Sequence, residues 1–290
     1  MFSLAILWPS FLNGLTTGAI YALIALGLTL IYGVLHIINF AHGAALMVAL
    51  YGVYFLFTRL GIDPYLALPI MVPVMFAAGY GLSRWVIGRA SGGRDENILL
   101  VTLGVSIALE NLALLFFTSD TRTIDTAYTL ATIDVLGAMI SVPKVVAMAG
   151  ALVTAALLWV LMRHTVLGRA IRACARERHG ARLVGIDVER IFALSFGIGL
   201  ACLGAAACFL LPTYYVSPGV GSGIVLIAFT IVVLGGMGSF VGALLGGLLI
   251  GVVESLGGLF LGESLGQIGI FAIFIAVLLF RPQGLFGAKA

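Results

Sequence analysis

The sequence is short of charge. Asp, Glu, Lys and Arg make up only 9% of its 290 residues, and none of them occurs between residues 1 and 58. Hydrophobic residues account for 62% and the mean hydropathy is +1.20, so the chain has too few polar residues to cover a water-facing surface. The composition therefore predicts a polytopic membrane protein, with residues 1–290 forming a single transmembrane domain and no separate soluble domain.

Lysine and cysteine are scarce as well. The two lysines, Lys144 and Lys289, follow proline and alanine, so the Gly-Lys-Ser/Thr phosphate loop of an ATPase is missing. We predict that the chain is not an enzyme and holds no cofactor of its own. The three cysteines, Cys174, Cys202 and Cys208, lie in a predicted span or on its cytoplasmic side, which excludes an extracellular disulfide framework.

Three further kinds of site find little support. His36 and His42 are six residues apart, which does not align two imidazoles on one helix face, so we predict no metal site. The Gly104-Val105-Ser106-Ile107 segment is faintly similar to the serine motif of intramembrane proteases, but a Gly-x-Ser triplet carries little information in a glycine-rich chain. The basic segments are too short and too poor in aromatics to predict nucleic-acid binding.

Nine apolar tracts approach or reach the length of about 20 residues that a helix needs to cross a bilayer. They comprise residues 11–33, 43–57, 65–85, 98–117, 145–162, 191–211, 224–236, 241–261 and 268–280. We predict an all-α, polytopic transmembrane helical bundle with about eight or nine crossings, because lipid leaves unpaired backbone groups without partners. Some tracts are short, and three glycines break the seventh, so one or two are expected to be broken or re-entrant helices.

Basic residues alternate along the chain as a multi-pass topology requires. Three basic segments contain Arg84, Arg89 and Arg94, then seven arginines between residues 163 and 190, and finally Arg281 with Lys289. Residues 119–142 instead carry three aspartates against one arginine. The positive-inside rule places the basic segments and the C-terminus in the cytoplasm and residues 119–142 outside, while the side of the N-terminus stays open.

The longest basic connection, residues 163–190, has a helical pattern of its own. Apolar residues recur there at helical spacing, at Leu167, Ala170, Ile171 and Cys174. This pattern predicts an amphipathic helix. Gly185 permits a left-handed stop, and Asp187 is placed to cap the following helix. The segment is interpreted either as a helix lying on anionic headgroups or as a docking surface for a cytoplasmic partner.

Glycines spaced four apart predict close helix packing. Three such pairs occur in apolar sequence: Gly14 with Gly18, Gly242 with Gly246, and Gly247 with Gly251. Gly235, Gly236 and Gly238 have a different meaning, because three glycines in four residues favour a turn or an unwound segment.

Polar residues inside the apolar tracts are the candidates for a translocation path, since each is costly in lipid. They are Asn13, His36, Asn39, His42, Glu110, Asn111 and Glu254. Asn39 and His42 belong to a polar break, Asn39-Phe40-Ala41-His42-Gly43, and are expected to share a face or end a helix beside a cavity. The alternative is that Asn39 caps the next helix and His42 bonds a carbonyl. For Glu110 the alternative is a partner inside the bundle, and for Glu254 it is a position near the membrane–water interface.

Several motifs of the chain resemble those of one transporter family over nearly its whole length. They are Asn13-Gly14 to Tyr32-Gly33 with Tyr21-Ala22-Leu23 inside, Ile38-Asn39-Phe40-Ala41-His42-Gly43, Gly168-Arg169-Ala170-Ile171-Arg172-Ala173 through Leu183-Val184-Gly185-Ile186, Leu234-Gly235-Gly236-Met237-Gly238-Ser239, and a tail from Arg281 to Gly287. The sequence is similar to the LivH-type permease subunits of branched-chain amino-acid ABC importers. Ala44 departs from the pattern, because many relatives have an acidic residue there, and this leaves the exact solute open.

The resemblance implies an inner-membrane, non-catalytic half of a translocation pore. Its implied partners are a second homologous permease, two cytoplasmic ATP-binding subunits, a periplasmic solute-binding protein and membrane lipid. Candidate contacts for the ATP-binding subunits are Arg169, Arg172, Ala173, Arg176, Gly185, Gly235, Gly236 and Gly238. Alternative cargo is urea or short amides, and alternative classes are an ion-coupled secondary transporter and a passive channel.

Overall fold

The computed structural model describes residues 4–90, 95–135, 137–281 and 283–286. The predictions that involve Arg94, Lys289 and the tail residues Pro282 and Gly287 lie outside the described residues.

The helices follow one another with short connections. The first six are α1 (Leu4–Leu35), α2 (Ala41–Leu60), α3 (Leu68–Gly81), α4 (Gly88–Ala90), α5 (Asp95–Phe117) and α6 (Val142–His164), and a π-helical stretch, Leu82–Ile87, joins α3 to α4. The others are α7 (Val166–Arg176), α8 (Arg178–Leu183), α9 (Val188–Leu210), α10 (Val220–Gly235), α11 (Phe240–Leu261) and α12 (Glu263–Phe280), and a 3₁₀ turn, Leu211–Thr213, follows α9.

The predicted transmembrane helical bundle is confirmed. Within the described residues, seven helices are long and apolar enough to cross a membrane, and two shorter apolar helices, Val220–Gly235 and Ile268–Phe280, correspond to the seventh and ninth predicted tracts. The number of crossings stays a prediction.

A small hairpin between α5 and α6 was not predicted. Strand β1 (Thr132–Val135) pairs antiparallel with β2 (Ala138–Ser141). Gly137 turns the chain with a φ of +84°, and its N–H donates to Asp134 Oδ1 at 2.7 Å. An Asp and a Gly so placed favour a tight turn, but the flanking strands are too short for a clear sequence signal.

The apolar helices pack in two layers. In the first layer the order of neighbours is α11, α1, α9 and α3, and in the second it is α12, α10, α2 and α5. Helix α6 packs against α1 and α9 and so covers the first layer. Because α3 packs on α9 and α11 packs on α1, the contacts follow the pattern expected of two inverted repeats, with α1, α2 and α3 matching α9, α10 and α11.

Close contact between α1 and α11 confirms the predicted role of the paired glycines. A Cβ atom on Gly14 would lie 2.7 Å from Val252 Cα, and one on Gly18 would lie 2.8 Å from the Gly247 carbonyl oxygen. Gly251 is as tight, at 2.3 Å from Gly18 Cα. Any side chain at these positions would push the two backbones apart, which is the constraint that small residues relieve in membrane bundles.

One end of the bundle gathers the acidic connections and is called the acidic face, defined by residues 118–135 and 137–141. Trp8 Nε1 in α1 donates to Val135 O at 3.4 Å, so the start of α1 lies at this face. Tyr128 OH donates to Asp63 Oδ2 at 2.7 Å and ties the α2–α3 connection to it. Burial and the Asp63 carboxylate raise the pKa of Tyr65 to about 12, so this phenol stays neutral.

The opposite end is called the arginine face, defined by α7, α8 and the turn between α10 and α11. Arg178 donates to Leu35 O, which places the end of α1 here. The tail joins the same face, since Leu285 N donates to Leu234 O at 2.8 Å and Phe286 N to Gly235 O at 3.1 Å. The two ends of the described chain therefore lie on opposite faces of the bundle.

Candidate functional site

The break between α1 and α2 lies earlier than the sequence suggested. Helix α1 ends at Leu35, His36 has a φ of +56°, and α2 starts at Ala41. The predicted break at residues 39–43 is therefore corrected to residues 36–40. Asn39 Oδ1 accepts from Ala41 N at 3.1 Å, and this satisfies a free N–H at the helix start, so that His42 and Gly43 already belong to α2.

Helix α2 begins inside the bundle. His42 is fully buried, and its Nε2 lies 3.0 Å from the carbonyl oxygen of Ile24, eleven residues before the end of α1. At 1.5 Å per residue this point is about 16 Å along α1 from Leu35. The segment 36–40 thus re-enters the bundle before α2 starts, which is the behaviour of a broken helix.

The first turns of α2 and α10 cross with their backbones in contact. A Cβ atom on Gly43 would lie 2.3 Å from Gly221 O, and one on Gly221 would lie 2.2 Å from Gly43 O. We call this contact the helix crossing. Gly43 is required there for close approach and not for a turn, because it sits within a regular helix.

The bonds of Asn39 and His42 are those of the capping alternative. Both side chains are buried, with exposed fractions of 2% and 0%, and within the described residues Asn39 Nδ2 and His42 Nδ1 have no hydrogen-bond partner. A role in translocation stays a prediction for both residues.

A second group of polar residues lines a cavity between α1 and α11 on the side of the acidic face. This outer cavity has a volume of about 560 Å³. Its lining consists of Ser10, Asn13, Thr17, Tyr21, Tyr214, Gly251, Glu254, Ser255, Gly258 and Leu259. Two of the residues singled out from the sequence, Asn13 and Glu254, are thus brought together across the α1–α11 contact.

Glu254 is only partly satisfied in the outer cavity. Tyr21 OH donates to its Oε1 at 3.3 Å, while its Oε2 has no hydrogen-bond partner among the described residues. Asn13, another lining residue, accepts at its Oδ1 from Lys144 Nζ at 2.5 Å. Glu254 thus lines the cavity, and its second carboxylate oxygen, which is buried, has unused acceptor capacity.

Sequence reasoning missed Tyr21 and Tyr214, which line this cavity, and Lys144, which donates to Asn13. A signal existed for Tyr21, because Asn13, Thr17 and Tyr21 recur every four residues and so share one helix face. Tyr214 lies in the connection after α9 and has no such pattern. Burial raises the pKa of the Tyr214 phenol, which therefore remains neutral.

Glu110 and Asn111 do not line this cavity. They lie on α5, where Ser106 Oγ donates to Glu110 Oε1 at 3.3 Å and Asn111 Nδ2 donates to Ile107 O at 2.7 Å. Both bonds stay within one helix. The predicted path residues are therefore found in four separate places: the helix crossing, the outer cavity, the surface of α5 and, for His36, a groove on the arginine face.

The predicted amphipathic segment on the arginine face is confirmed, but it forms two helices, α7 and α8, instead of one. Ile171 and Cys174 are buried, whereas the three candidate arginines are exposed and Ala173 is half-buried. Glu177 divides the segment into α7 and α8 by accepting from His179 N at 3.0 Å. Burial also raises the pKa of the Cys174 thiol, which favours the unreactive protonated form.

The end of this segment follows the prediction. Gly185 has a φ of +85°, and Asp187 Oδ1 accepts from Arg190 N at 3.0 Å as the cap of α9. Arg172 donates to the Met162 carbonyl at the end of α6, so α7 is held against the bundle by a side chain that is also a coupling candidate.

The glycine-rich turn between α10 and α11 lies beside α7. Gly236 and Gly238 have φ values of +97° and +85°, which confirms the predicted turn, and Ser239 Oγ caps α11 by accepting from Gly242 N at 3.1 Å. A groove of about 400 Å³, here called the inner groove, is lined on one side by Ile171, Arg172 and Ala175 and on another by Met237 and Gly238. Both predicted coupling elements therefore border the same groove.

A bundle of apolar helices in which α2 and α10 start inside, with a cavity lined by polar residues at one end and the inner groove bordered by arginines at the other, is the architecture of an integral membrane permease. The chain belongs to the family of permease components of branched-chain amino acid transport systems, which it matches over residues 10–278. It is a multi-pass inner-membrane protein that works with other transporter subunits, and permease subunits of this class are not themselves catalytic.

Named relatives cover nearly the whole chain. It is 37% identical to the high-affinity branched-chain amino acid transport system permease protein BraD of Pseudomonas aeruginosa, over 95% of this chain and 94% of BraD. It is 34% identical to LivH of Escherichia coli, with the same coverage, and 28% identical to a probable LivH of Methanocaldococcus jannaschii, over 91% of this chain and 88% of that protein. No solved structure matches the chain.

Proposed function

We propose that this chain is one permease subunit of an ATP-driven importer that moves branched-chain amino acids delivered by a periplasmic binding protein. It pairs with a second homologous permease, and two cytoplasmic ATP-binding subunits supply the energy. The names of its relatives support the solute, and the missing phosphate loop supports ATP binding on other chains.

The outer cavity is the proposed entry to the path. A free amino acid is a zwitterion, and the carboxylate of Glu254, which lines the cavity, is the proposed partner of its ammonium group. The rings of Tyr21 and Tyr214 offer apolar surface for an aliphatic side chain. A volume of about 560 Å³ lies within the usual range for small-molecule sites.

The observation that carries the coupling proposal is the inner groove. Helix α7 and the turn between α10 and α11 border it together, and α10 leads from that turn directly to the helix crossing. An ATP-binding subunit bound to the exposed arginines of α7 would also be close to the turn that ends α10. Its motion would thus be transmitted to the helix crossing through α10 alone. Energy enters because those subunits bind the two permease states with different affinity.

Orientation follows from the positive-inside rule applied to the two faces. The arginine face and the tail are placed in the cytoplasm, and the acidic face with the start of α1 outside. Labelling of single cysteines with a membrane-impermeant maleimide in intact cells tests this. A cysteine at Thr126 is expected to react from outside, and one at Val184 only after the membrane is opened; the reverse result would invert the topology.

The coupling proposal is tested by replacing Arg169 and Arg176 together by Glu in the assembled transporter. Solute-stimulated ATP hydrolysis is expected to fall severalfold while the folded amount stays constant. Arg190→Glu is the matched control, because it changes an exposed arginine on the same face just beyond α7 and α8. Unchanged stimulation in the double variant, or an equal loss in the control, would contradict the proposal.

The alternatives differ in their energy source and cargo. In vesicles that contain the whole transporter, leucine uptake is expected to require ATP and to survive collapse of the proton gradient. Uptake that survives without ATP would indicate an ion-coupled transporter, and equilibration without either energy source would indicate a channel. Competition by urea or short amides in place of leucine, isoleucine and valine would change the assigned cargo.

A further inference from the structure

A further cavity, of about 580 Å³, lies on the arginine face. It shares no lining residue with the outer cavity or the inner groove. Its walls come from the π-helical stretch with α4, the start of α5, the end of α1, and α8 with the start of α9. We call it the basic cavity.

The lining of the basic cavity is rich in positive charge. It contains four arginines, Arg84, Arg89, Arg178 and Arg182, against one carboxylate, that of Glu189. Arg84 forms an ion pair with this carboxylate, with Nη1 3.2 Å from Oε2. The lining residues therefore keep a net positive charge after their ion pair has formed.

Two of the four arginines are available to a ligand. Arg89 and Arg182 are exposed, and within the described part of the chain their guanidinium groups have no hydrogen-bond or ion-pair partner. Arg178 is held in place, because it donates to Leu35 O and its Cζ lies 5.1 Å from the centre of the Phe192 ring. A guanidinium group can bind a phosphate through two parallel hydrogen bonds, so this lining suits a phosphate group.

The π-helical stretch helps to bring two arginines of one segment to the same cavity. Gly88 N donates to Ser83 O, five residues earlier in the chain. In an α-helix, Arg84 and Arg89 would point about 140° apart around the axis. Bonding to the fifth residue widens the turn and brings residues five apart closer to one face, and such stretches occur often at functional sites.

The basic cavity also lies at the level of the membrane–water interface. Trp85 lines it near the end of the span Leu68–Ala90, and Ile98 lines it at the start of the span Asn97–Phe117. Trp85 is 64% exposed, and its ring lies against the backbone at Gly81, where a Cβ atom would be 3.0 Å from Trp85 Cζ3. Tryptophan is enriched at the level of the lipid headgroups.

The surface beside the basic cavity is apolar. Helices α3 and α5 are the last helices of their layers, and α5 contacts the π-helical stretch, so both lie at the same edge of the bundle. Val74 of α3 and Leu100 of α5 are 52% and 68% exposed. A soluble anion would require the arginines alone, whereas a lipid also requires an apolar surface for its acyl chains.

We propose that the basic cavity binds the phosphate group of an anionic phospholipid. Arg89 and Arg182 hold the phosphate, Arg178 supplies a fixed third cation, and Trp85 with Ile98 contacts the apolar part of the lipid. Basic pockets between spans are suited to such headgroups. The bound lipid links α4 to α8 and so stabilises the arginine face. This site depends on neither the solute nor its energy source and goes beyond the proposed function.

The test uses the assembled transporter, purified in detergent and depleted of lipid. Phosphatidylglycerol, phosphatidylcholine and inorganic phosphate are added in separate experiments. Native mass spectrometry of this subunit, released from the complex in the gas phase, measures the bound lipid. Phosphatidylglycerol is expected to be retained and to raise the midpoint of thermal unfolding. Phosphatidylcholine is expected to bind about tenfold more weakly, because it has no net charge, and inorganic phosphate to leave the midpoint unchanged.

Arg89→Gln combined with Arg182→Gln removes both proposed phosphate contacts without breaking a bond of the described fold. The dissociation constant for phosphatidylglycerol is expected to rise about tenfold or more, with an unchanged midpoint of unfolding in the absence of lipid. Arg176→Gln combined with Arg190→Gln is the matched control, since both arginines are exposed on the same face and neither lines the basic cavity. This control is expected to retain the lipid as the parent does.

Three results would overturn the inference. The first is phosphatidylglycerol binding by the cavity variant at the parent level, or an equal loss in the control. The second is stabilisation by inorganic phosphate as strong as that by phosphatidylglycerol, which would assign the cavity to a soluble phosphate group. The third is loss of the ATP-binding subunits from the cavity variant with lipid binding unchanged, which would assign the arginines to that contact. Each result leaves the proposed function standing, because ATP-dependent leucine uptake is measured separately.

Discussion

The helix crossing and the outer cavity both hold polar side chains inside the bundle, but they hold them in opposite ways. At the crossing, Asn39 and His42 are buried against backbone, and Gly43 touches Gly221 without room for a methyl group. In the outer cavity, Glu254 and Asn13 border open space large enough for a small solute.

This difference separates two uses of polar residues in a membrane protein. A polar group that bonds to a helix carbonyl or caps a helix start can fix the place where two helices meet, as His42 does at Ile24. A polar residue that lines a cavity is a candidate contact for a solute, and Glu254 holds such a position. The polar break that contains Asn39 and His42, the most conspicuous motif of the sequence, thus lies at the closely packed helix crossing. The less conspicuous Asn13 and Glu254 line the outer cavity.

The largest expected effect is at the crossing. Gly221→Ala puts a Cβ atom 2.2 Å from Gly43 O, and the clash is between backbones, so no side chain can move aside. We expect little folded protein, measured by size-exclusion chromatography after mild detergent extraction and by the midpoint of thermal unfolding. Gly223→Ala, two residues away with nothing within 4 Å, is the control and should be neutral or stabilising by about 1 kcal/mol. Equal midpoints for the two variants would mean that the crossing is not tightly packed.

The next effect is on transport through the outer cavity. Glu254→Gln keeps the shape and an acceptor for Tyr21 but removes the charge offered to the solute. We expect leucine uptake per folded transporter to fall about tenfold, which corresponds to about 1.4 kcal/mol, with the folded amount unchanged. Ser255→Ala, in the same cavity but without a charge, is the control. Uptake unaffected by the loss of the charge would remove Glu254 from the path.

His42→Ala sharpens the comparison, because the two uses predict different readouts. It removes the bond to Ile24 O and leaves a cavity in the bundle, so we expect the free energy of unfolding to fall by roughly 2–4 kcal/mol. Uptake per folded molecule should change less than about twofold. The opposite pattern, intact stability with lost uptake, would make His42 a path residue like the residues of the outer cavity.

The smallest effect is expected for Tyr21→Phe. The ring stays in place and the hydrogen bond to Glu254 is lost, which should lower uptake by about threefold. Tyr32→Phe is a matched control, because Tyr32 lies on the same helix but lines the inner groove. If both variants lose the same amount, the effect belongs to α1 as a whole and not to the outer cavity.

Much of the architecture could be predicted from the sequence, because hydrophobic length and charge placement act locally. Within the residues that the structure describes, the nine apolar tracts correspond to nine apolar helices, and the glycine pairs of α1 and α11 meet as their spacing indicated. Gly185, Asp187 and the turn at Gly236 also follow from backbone and capping preferences that depend on a few neighbouring residues.

The position of the polar residues relative to cavities could not be predicted. Asn13 and Glu254 are 241 residues apart and meet only because α11 returns to pack on α1. In the same way, sequence spacing could not show that His42 is enclosed by packed helices whereas Glu254 lines a cavity. Both are polar residues in apolar tracts, and their difference arises from which helices pack around them.

The sequence by itself determined that this chain is a helical membrane protein with a basic end, an acidic end and no nucleotide loop, since composition and local pattern decide those properties. The tertiary structure alone decided which polar groups are packed and which are open, and that arginines from distant parts of the chain line the basic cavity. Those properties depend on contacts between segments far apart in the chain, which local preferences do not encode.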